Sequence, residues 1–188
     1  HTVHLLACGR GNGTCDPTPP RTLCEANRDY VLVVDNSASM IPFQDDMSRW
    51  MERFVGNFDM SPDNPCTPRI SIVAFNGPPI GCRSNSPNPA CSQRAPYPEW
   101  VDVLVDEPTA ESAILLQRIG SRRRAGHMTC ISCALEVGAG LLREHRRSGA
   151  LPGLLILMTD GRQTAGGTDR TAIYRRVAPL TCRLLVPF

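Results

Sequence analysis

An α/β fold built around a parallel sheet is what this sequence predicts, and three observations predict it. Two short apolar runs, Tyr30-Val31-Leu32-Val33-Val34 and Leu154-Leu155-Ile156-Leu157-Met158, lack polar alternation, the pattern of strands buried on both faces. Each run leads into a carboxylate: Asp35 directly, and Asp160 within Thr159-Asp160-Gly161. Between them lie segments with apolar residues at helical spacing. At 188 residues the chain can form one domain with a full core.

The elements follow in order. Residues 1–28 are a Cys-, Pro- and Gly-rich extension with little expected regular structure. The first strand is Asp29–Asp35. A helix is expected over Pro42–Phe58, because Phe43, Met47, Trp50, Met51, Phe54 and Phe58 fit one stripe and Pro42 suits a first turn. Arg69–Phe75 reads as the second strand. Asn76–Glu99 holds six prolines and two cysteines without periodicity, which excludes a helix or a central strand. Trp100–Val105 reads as an edge strand, and Thr109–Ile119 as a helix followed by Arg122-Arg123-Arg124. Gly126-His127-Met128-Thr129 precedes a further helix, whose apolar positions are Ile131, Ala134, Leu135, Gly138, Leu141 and Leu142. After the strand Leu154–Met158 come a short helix, Asp169–Val177, and a strand, Leu180–Val186. There are no internal repeats.

Candidate chemistry gathers where strands end. In Asp35-Asn36-Ser37-Ala38-Ser39 a carboxylate and two hydroxyls stand at alternate positions, which point the same way in an extended loop. Three hard oxygens there suit Mg²⁺, Mn²⁺ or Ca²⁺ rather than soft metals. The competing reading makes Ser37 or Ser39 the N-cap of the following helix. Asp160 at a second strand end and Thr129 at a helix start favour the metal.

D-x-S-x-S at Asp35, Ser37 and Ser39, then Thr129 in T-x-x-x-x-A-L, then Asp160 in T-D-G, resembles the von Willebrand factor A domain and its metal-ion-dependent adhesion site (MIDAS). The resemblance covers residues 29–188. It implies a doubly wound, mostly parallel, Rossmann-like sheet with helices on both faces and ligands beyond the carboxyl ends of the strands. It also implies a divalent cation, Mg²⁺ first, with Mn²⁺ or Ca²⁺ as alternatives. The serines and Thr129 would coordinate directly or through water, and the aspartates often through water. One position stays open for an acidic side chain of a partner. Asn36, Gly161 and Arg162 would then line the rim.

Two departures from the family pattern stand out. The loop Asn76–Glu99 leaves its strand on the metal-bearing rim and is long enough to shape or cover the site. The chain also stops after Leu180–Val186, where the family adds a strand and helices, so the domain is expected to be incomplete at its C-terminal end and part of a longer chain or assembly.

Composition sets the remaining expectations. A net charge of +2 gives no case for nucleic acid. All 20 basic residues are Arg, which reads mainly as codon bias. No segment suits membrane insertion. Nine cysteines point to an oxidising, extracellular or cell-surface setting, and Asn12-Gly13-Thr14 is a glycosylation sequon at Asn12. Cys130-Ile131-Ser132-Cys133 is read as two structural disulfide partners of neighbouring loops rather than as a redox pair. In the doubly wound topology, Cys82, Cys91, Cys130 and Cys133 share the metal-bearing end, while Cys24, Cys66 and Cys182 share the opposite one, so pairing is expected within each end.

The expected function is a metal-dependent protein-binding or adhesion module. The alternative is a structural or assembly domain whose metal site is vestigial or permanently filled. An enzyme is not expected: there is no phosphate-binding G-x-x-x-x-G-K-[ST] loop, no G-x-S-x-G elbow and no second Asp two residues after Asp35. His127 reads as a surface residue and Arg122–Arg124 as a solvated face.

Overall fold

The computed structural model describes residues 28–61, 63–64, 66–77, 100–122, 128–147, 151–160 and 184–186. Its elements are β1 (Arg28–Asp35), a 3₁₀ turn (Ala38–Phe43), α1 (Gln44–Gly56), β2 (Arg69–Phe75), β3 (Val101–Thr109), α2 (Ser112–Gly120), α3 (Ile131–Glu144), β4 (Leu151–Met158) and β5 (Leu184–Val186). They form a five-stranded sheet of order β3-β2-β1-β4-β5. β1 pairs in parallel with β2 and β4, β4 pairs in parallel with β5, and β3 runs antiparallel along β2. The doubly wound, mostly parallel sheet is therefore as expected.

The unbroken apolar run of β1 has its cause in two cores. Val31 and Val33 point to one face, where Ile131, Ala134, Leu135 and Leu142 of α3 cover them. Tyr30, Leu32 and Val34 point to the other, against Met47, Met51 and Val55 of α1 and Leu115 and Ile119 of α2. A Cβ on Gly138 would sit 3.0–3.3 Å from side-chain atoms of Leu155, Val33 and Val31, so its bare Cα lets α3 lie close to the sheet.

Several boundaries differ from expectation. The first helix does not start at Pro42. A 3₁₀ turn occupies Ala38–Phe43, with Pro42 inside it, and α1 begins at Gln44. This rotates Phe43 out of the expected stripe: it is 40% exposed, while Met47 and Met51 are fully buried. The edge strand extends to Thr109 because Ile70 pairs with Thr109 across the edge, and α2 consequently starts at Ser112 rather than Thr109. Pro108 lies in this edge strand, where a missing N–H is tolerated. β4 starts at Leu151, because Arg28 already pairs with Leu151. The extension 1–27, most of the loop Asn76–Glu99, the helix expected at Asp169–Val177, and Arg123, Arg124 and His127 lie outside the described residues.

The amino end of the sheet is tied by charge. Asp29, buried at the start of β1, accepts two hydrogen bonds from Arg69 of β2, each 2.9 Å. Arg147, just beyond α3, stands 3.0 Å from the same carboxylate. Arg69 also donates to the carbonyl of His145, at 2.7 Å. A bidentate guanidinium–carboxylate pair of this kind is the strong form of ion pair.

Candidate metal centre

The carboxyl rim differs in kind. β1 lies between β2 and β4, so the winding direction changes beside it and leaves a crevice at the strand ends. Asp35 closes β1 at that point and is fully buried. The Ser37 amide donates to its Oδ1 at 2.8 Å, and the Thr159 hydroxyl donates to its Oδ2 at 2.6 Å. Thr159 follows β4, so this bond stitches the two strand ends across the crevice. Sequence reasoning passed over Thr159; its signal was its place directly before Asp160.

Burial pushes the Asp35 carboxyl above the usual carboxylate range, the hydrogen bonds from Thr159 and Ser37 oppose that shift, and the nearby charge of Asp160 adds to it. No Arg pairs with Asp35 among the described residues. Burial disfavours the ionised form of this carboxyl, and a nearby cation would favour it.

The serines bear on the capping alternative. Ser37 occupies the N-cap position of the 3₁₀ turn with extended dihedrals, φ −65° and ψ 169°, yet its hydroxyl makes no capping bond. Its Oγ instead lies 3.2 Å from Oγ of Ser39. α1 has Phe43 at its own N-cap position and no side-chain cap. The alternate spacing thus brings two hydroxyls together next to Asp35, which the capping reading does not require.

Thr129 enters from the other side. It is buried, immediately before Cys130 at the N-cap position of α3. Its loop is held by a backbone ladder: the Asn36 amide donates to Phe75, the Asn76 amide to Trp100, and the Cys130 amide to Asn76, at 2.7, 2.8 and 3.0 Å. Because Phe75 pairs with Asp35, the ladder keys the Thr129 loop to the end of β1. Gly77 permits the approach. A Cβ there would stand 2.8 Å from the Met128 carbonyl carbon and 3.0 Å from the Thr129 nitrogen, and both atoms are backbone.

Asp160 is exposed at the mouth, and Asn36 is buried beside Ser37. Gly161, Arg162, Asn12, Cys24, Cys82, Cys91 and Cys182 lie outside the described residues. The donors described here are carboxylate and hydroxyl oxygens, and no cluster of three or more His, Cys, Asp or Glu occurs among the described residues. That set fits a hard divalent cation.

The cysteine expectation needs correcting in one respect. Cys130 and Cys133 bridge each other, with Cα atoms 5.4 Å apart, rather than reaching to neighbouring loops. Residues three apart on a helical turn are neighbours, so the shortest partner wins. Both are buried, at 0% and 1% exposure. The bridge fixes the turn that follows Thr129, and closing so short a loop is worth about 2 kcal/mol in the chain-entropy account. Cys66 is also disulfide-bonded, and with Cys130 and Cys133 paired its partner lies outside the described residues.

The family model of the von Willebrand factor type A domain matches residues 29–180. A search of curated protein sequences finds no match. Among solved structures, the fold resembles the conserved hypothetical protein BatB from Bacteroides thetaiotaomicron, at 13% identity and a TM-score of 0.59, covering 85% of this chain and 66% of that one. It resembles proximal thread matrix protein 1 from the mussel byssus, solved with a zinc-occupied MIDAS motif, at 17% identity and TM-score 0.59, covering 85% of this chain and 37% of that one. It also resembles the pilus adhesin SpaC from Lactobacillus rhamnosus GG, at 21% identity and TM-score 0.52, covering 73% of this chain and 15% of that one. At these identities the likeness is one of fold. The chain spans less than two thirds of the length of each.

Proposed function

The chain belongs to the von Willebrand factor type A family, and on that premise we propose that it is an extracellular binding module whose rim holds a divalent cation and offers it to an acidic side chain of a partner protein. The observation that carries this reading is the uncapped serine pair, Ser37 and Ser39, set beside a buried carboxylate that lacks a cationic partner among the described residues. Ser37, Ser39 and Thr129 would hold the ion with neutral oxygens, and Asp35 and Asp160 would act directly or through water. A bound Mg²⁺ would supply an electrophilic position for an incoming carboxylate. The chain's own part is to keep the direct charge low: Thr159 and the Ser37 amide occupy both oxygens of Asp35.

The setting has its own support. The Cys130–Cys133 bridge and the bonded Cys66 suit an oxidising compartment. The likeness to a byssus matrix protein and a pilus adhesin points the same way. No described helix is long and apolar enough to cross a membrane. Exposure of Ser39 and Asp160 favours an open, ligand-accepting site over a permanently filled one. We assign the site no catalytic role.

The test is to pan a displayed random-peptide library on the immobilised chain in Mg²⁺ and elute with EDTA. Peptides rich in Asp or Glu should be recovered, and Thr129→Ala should abolish their capture. Recovery that is indifferent to EDTA, or peptides without an acidic position, would overturn the reading.

A further inference from the structure

The start of α3 lacks the devices that usually hold a helix end. Cys130 occupies its N-cap position, no side chain caps it, and no acidic residue stands in its first turn. The bond from the Ala134 amide to the Cys130 carbonyl is long, at 3.4 Å. A first turn without a cap frays easily. What closes this one is covalent: the Cys130–Cys133 bridge spans it. Thr129, a proposed ligand of the ion, directly precedes the bridge and is buried.

A C-x-x-C at a helix start is also the form of a thiol–disulfide oxidoreductase site. Such a site needs an accessible sulfur to attack its substrate. Here both cysteines are buried in the core cluster that includes Val33, Phe75 and Trp100, so the bridge acts inward, on its own turn. A disulfide holds its sulfurs at bonding distance, whereas two thiols stand at contact distance and need more room. The surroundings are close-packed, and Cys133 is fixed inside the helix. Cys130, at the helix end, is the freer partner, and displacing it displaces Thr129.

We propose that the Cys130–Cys133 bridge is a redox lock on the metal rim: closed, it holds Thr129 in place for the ion, and its reduction to two thiols releases Thr129 and weakens ion binding. A dithiol performs the step. The S–S bond breaks, each sulfur gains one electron and one proton, and the dithiol leaves as its own disulfide. The rim is thus competent only after oxidation, which matches the extracellular setting proposed above. Linkage makes the effect reciprocal, so the bound ion protects the bridge. The lock rests on the metal-dependent reading.

The experiment equilibrates the chain with mixtures of reduced and oxidised dithiothreitol, in EDTA or in saturating Mg²⁺, and traps free thiols by alkylation for peptide mass mapping. Half-reduction of Cys130–Cys133 should need at least a tenfold higher ratio of reduced to oxidised reagent in Mg²⁺ than in EDTA. The bonded Cys66, which precedes β2 at the amino end of the sheet, is the internal control, and its half-reduction should not move. Separately, Cys130→Ala/Cys133→Ala should bind Mn²⁺ at least tenfold more weakly than oxidised wild type by calorimetry. No shift at Cys130–Cys133, an equal shift at Cys66, or wild-type affinity in the double variant overturns the lock alone. Absence of saturable Mg²⁺ or Mn²⁺ binding by oxidised wild type overturns the metal reading instead.

Discussion

Asp29 and Asp35 stand at opposite ends of β1, both buried, and the protein treats their charges in opposite ways. Asp29 is met by two guanidiniums, Arg69 and Arg147, so its charge is answered from within. Asp35 is met by a hydroxyl and an amide, which satisfy its oxygens without cancelling its charge. The strand ends thus separate two jobs. One carboxylate closes the fold, and the other has no cationic partner among the described residues.

Paired substitutions test that division most strongly. Asp29→Asn leaves two partly buried guanidiniums without their anion, and losing one partner of a buried pair costs about 3–5 kcal/mol. Because both Arg side chains are 27% exposed and reach water, the low end, about 3 kcal/mol, is expected in urea unfolding. Metal binding should be unaffected. Asp35→Asn should do the reverse: saturable Mn²⁺ binding weakens at least a hundredfold by calorimetry, while the metal-free fold is as stable as wild type or more so. If both variants lose stability alike, the division of labour fails.

Gly77 gives a smaller and more local test. Gly77→Ala inserts a Cβ against the backbone of Met128 and Thr129, so no side chain can swing away to relieve it. The Thr129 loop must shift, and with it one proposed ligand. A roughly tenfold loss of Mn²⁺ affinity is expected, about 1.4 kcal/mol, together with a lower unfolding midpoint in EDTA, because the overlap is with backbone. Unchanged affinity would show that the loop tolerates displacement.

The comparison also explains what could be read from the sequence. The core strands were legible because burial on both faces removes alternation, as in Tyr30–Val34. The grouping of Asp35, Ser37 and Ser39 could be read because they recur at fixed spacing within one short segment, whereas the bond from Thr159 to Asp35 could not, because it joins two strand ends far apart in sequence. The Asp29 clamp was not legible either, because Arg69 and Arg147 reach it from distant segments and no local pattern announces the meeting. Gly77 was hidden for the same reason: its importance lies in the neighbouring loop, not in its own turn. The exposure of Phe43 contradicted its helical stripe, since periodicity cannot foresee a 3₁₀ turn that resets the phase. Cys130–Cys133 was misjudged because a C-x-x-C can close on itself or reach outward with the same spacing.

The smallest effect is the most specific to Asp35. Its folded-state carboxyl is raised above the ordinary range, chiefly by burial. In metal-free protein above that raised pKa, the folded state holds an ionised, desolvated carboxylate, a cost the unfolded chain does not bear. As pH falls through the raised pKa, the folded state takes up its proton first and the cost declines. Below the ordinary carboxylate pKa both states are protonated and it is gone. Asp35→Asn never bears it. The stability advantage of Asp35→Asn over wild type, measured in EDTA, should therefore be largest near neutrality and vanish on acidification. Taking the difference between the two proteins cancels the carboxylates that do not interact with Asp35, leaving its coupling to Asp160 as part of the measured effect. With Mg²⁺ at a hundredfold its Kd, wild type should gain about 2.7 kcal/mol at neutral pH and overtake the variant. An advantage that grew on acidification would mean that the bonds from Thr159 and Ser37 outweigh desolvation, and that Asp35, like Asp29, is already answered from within.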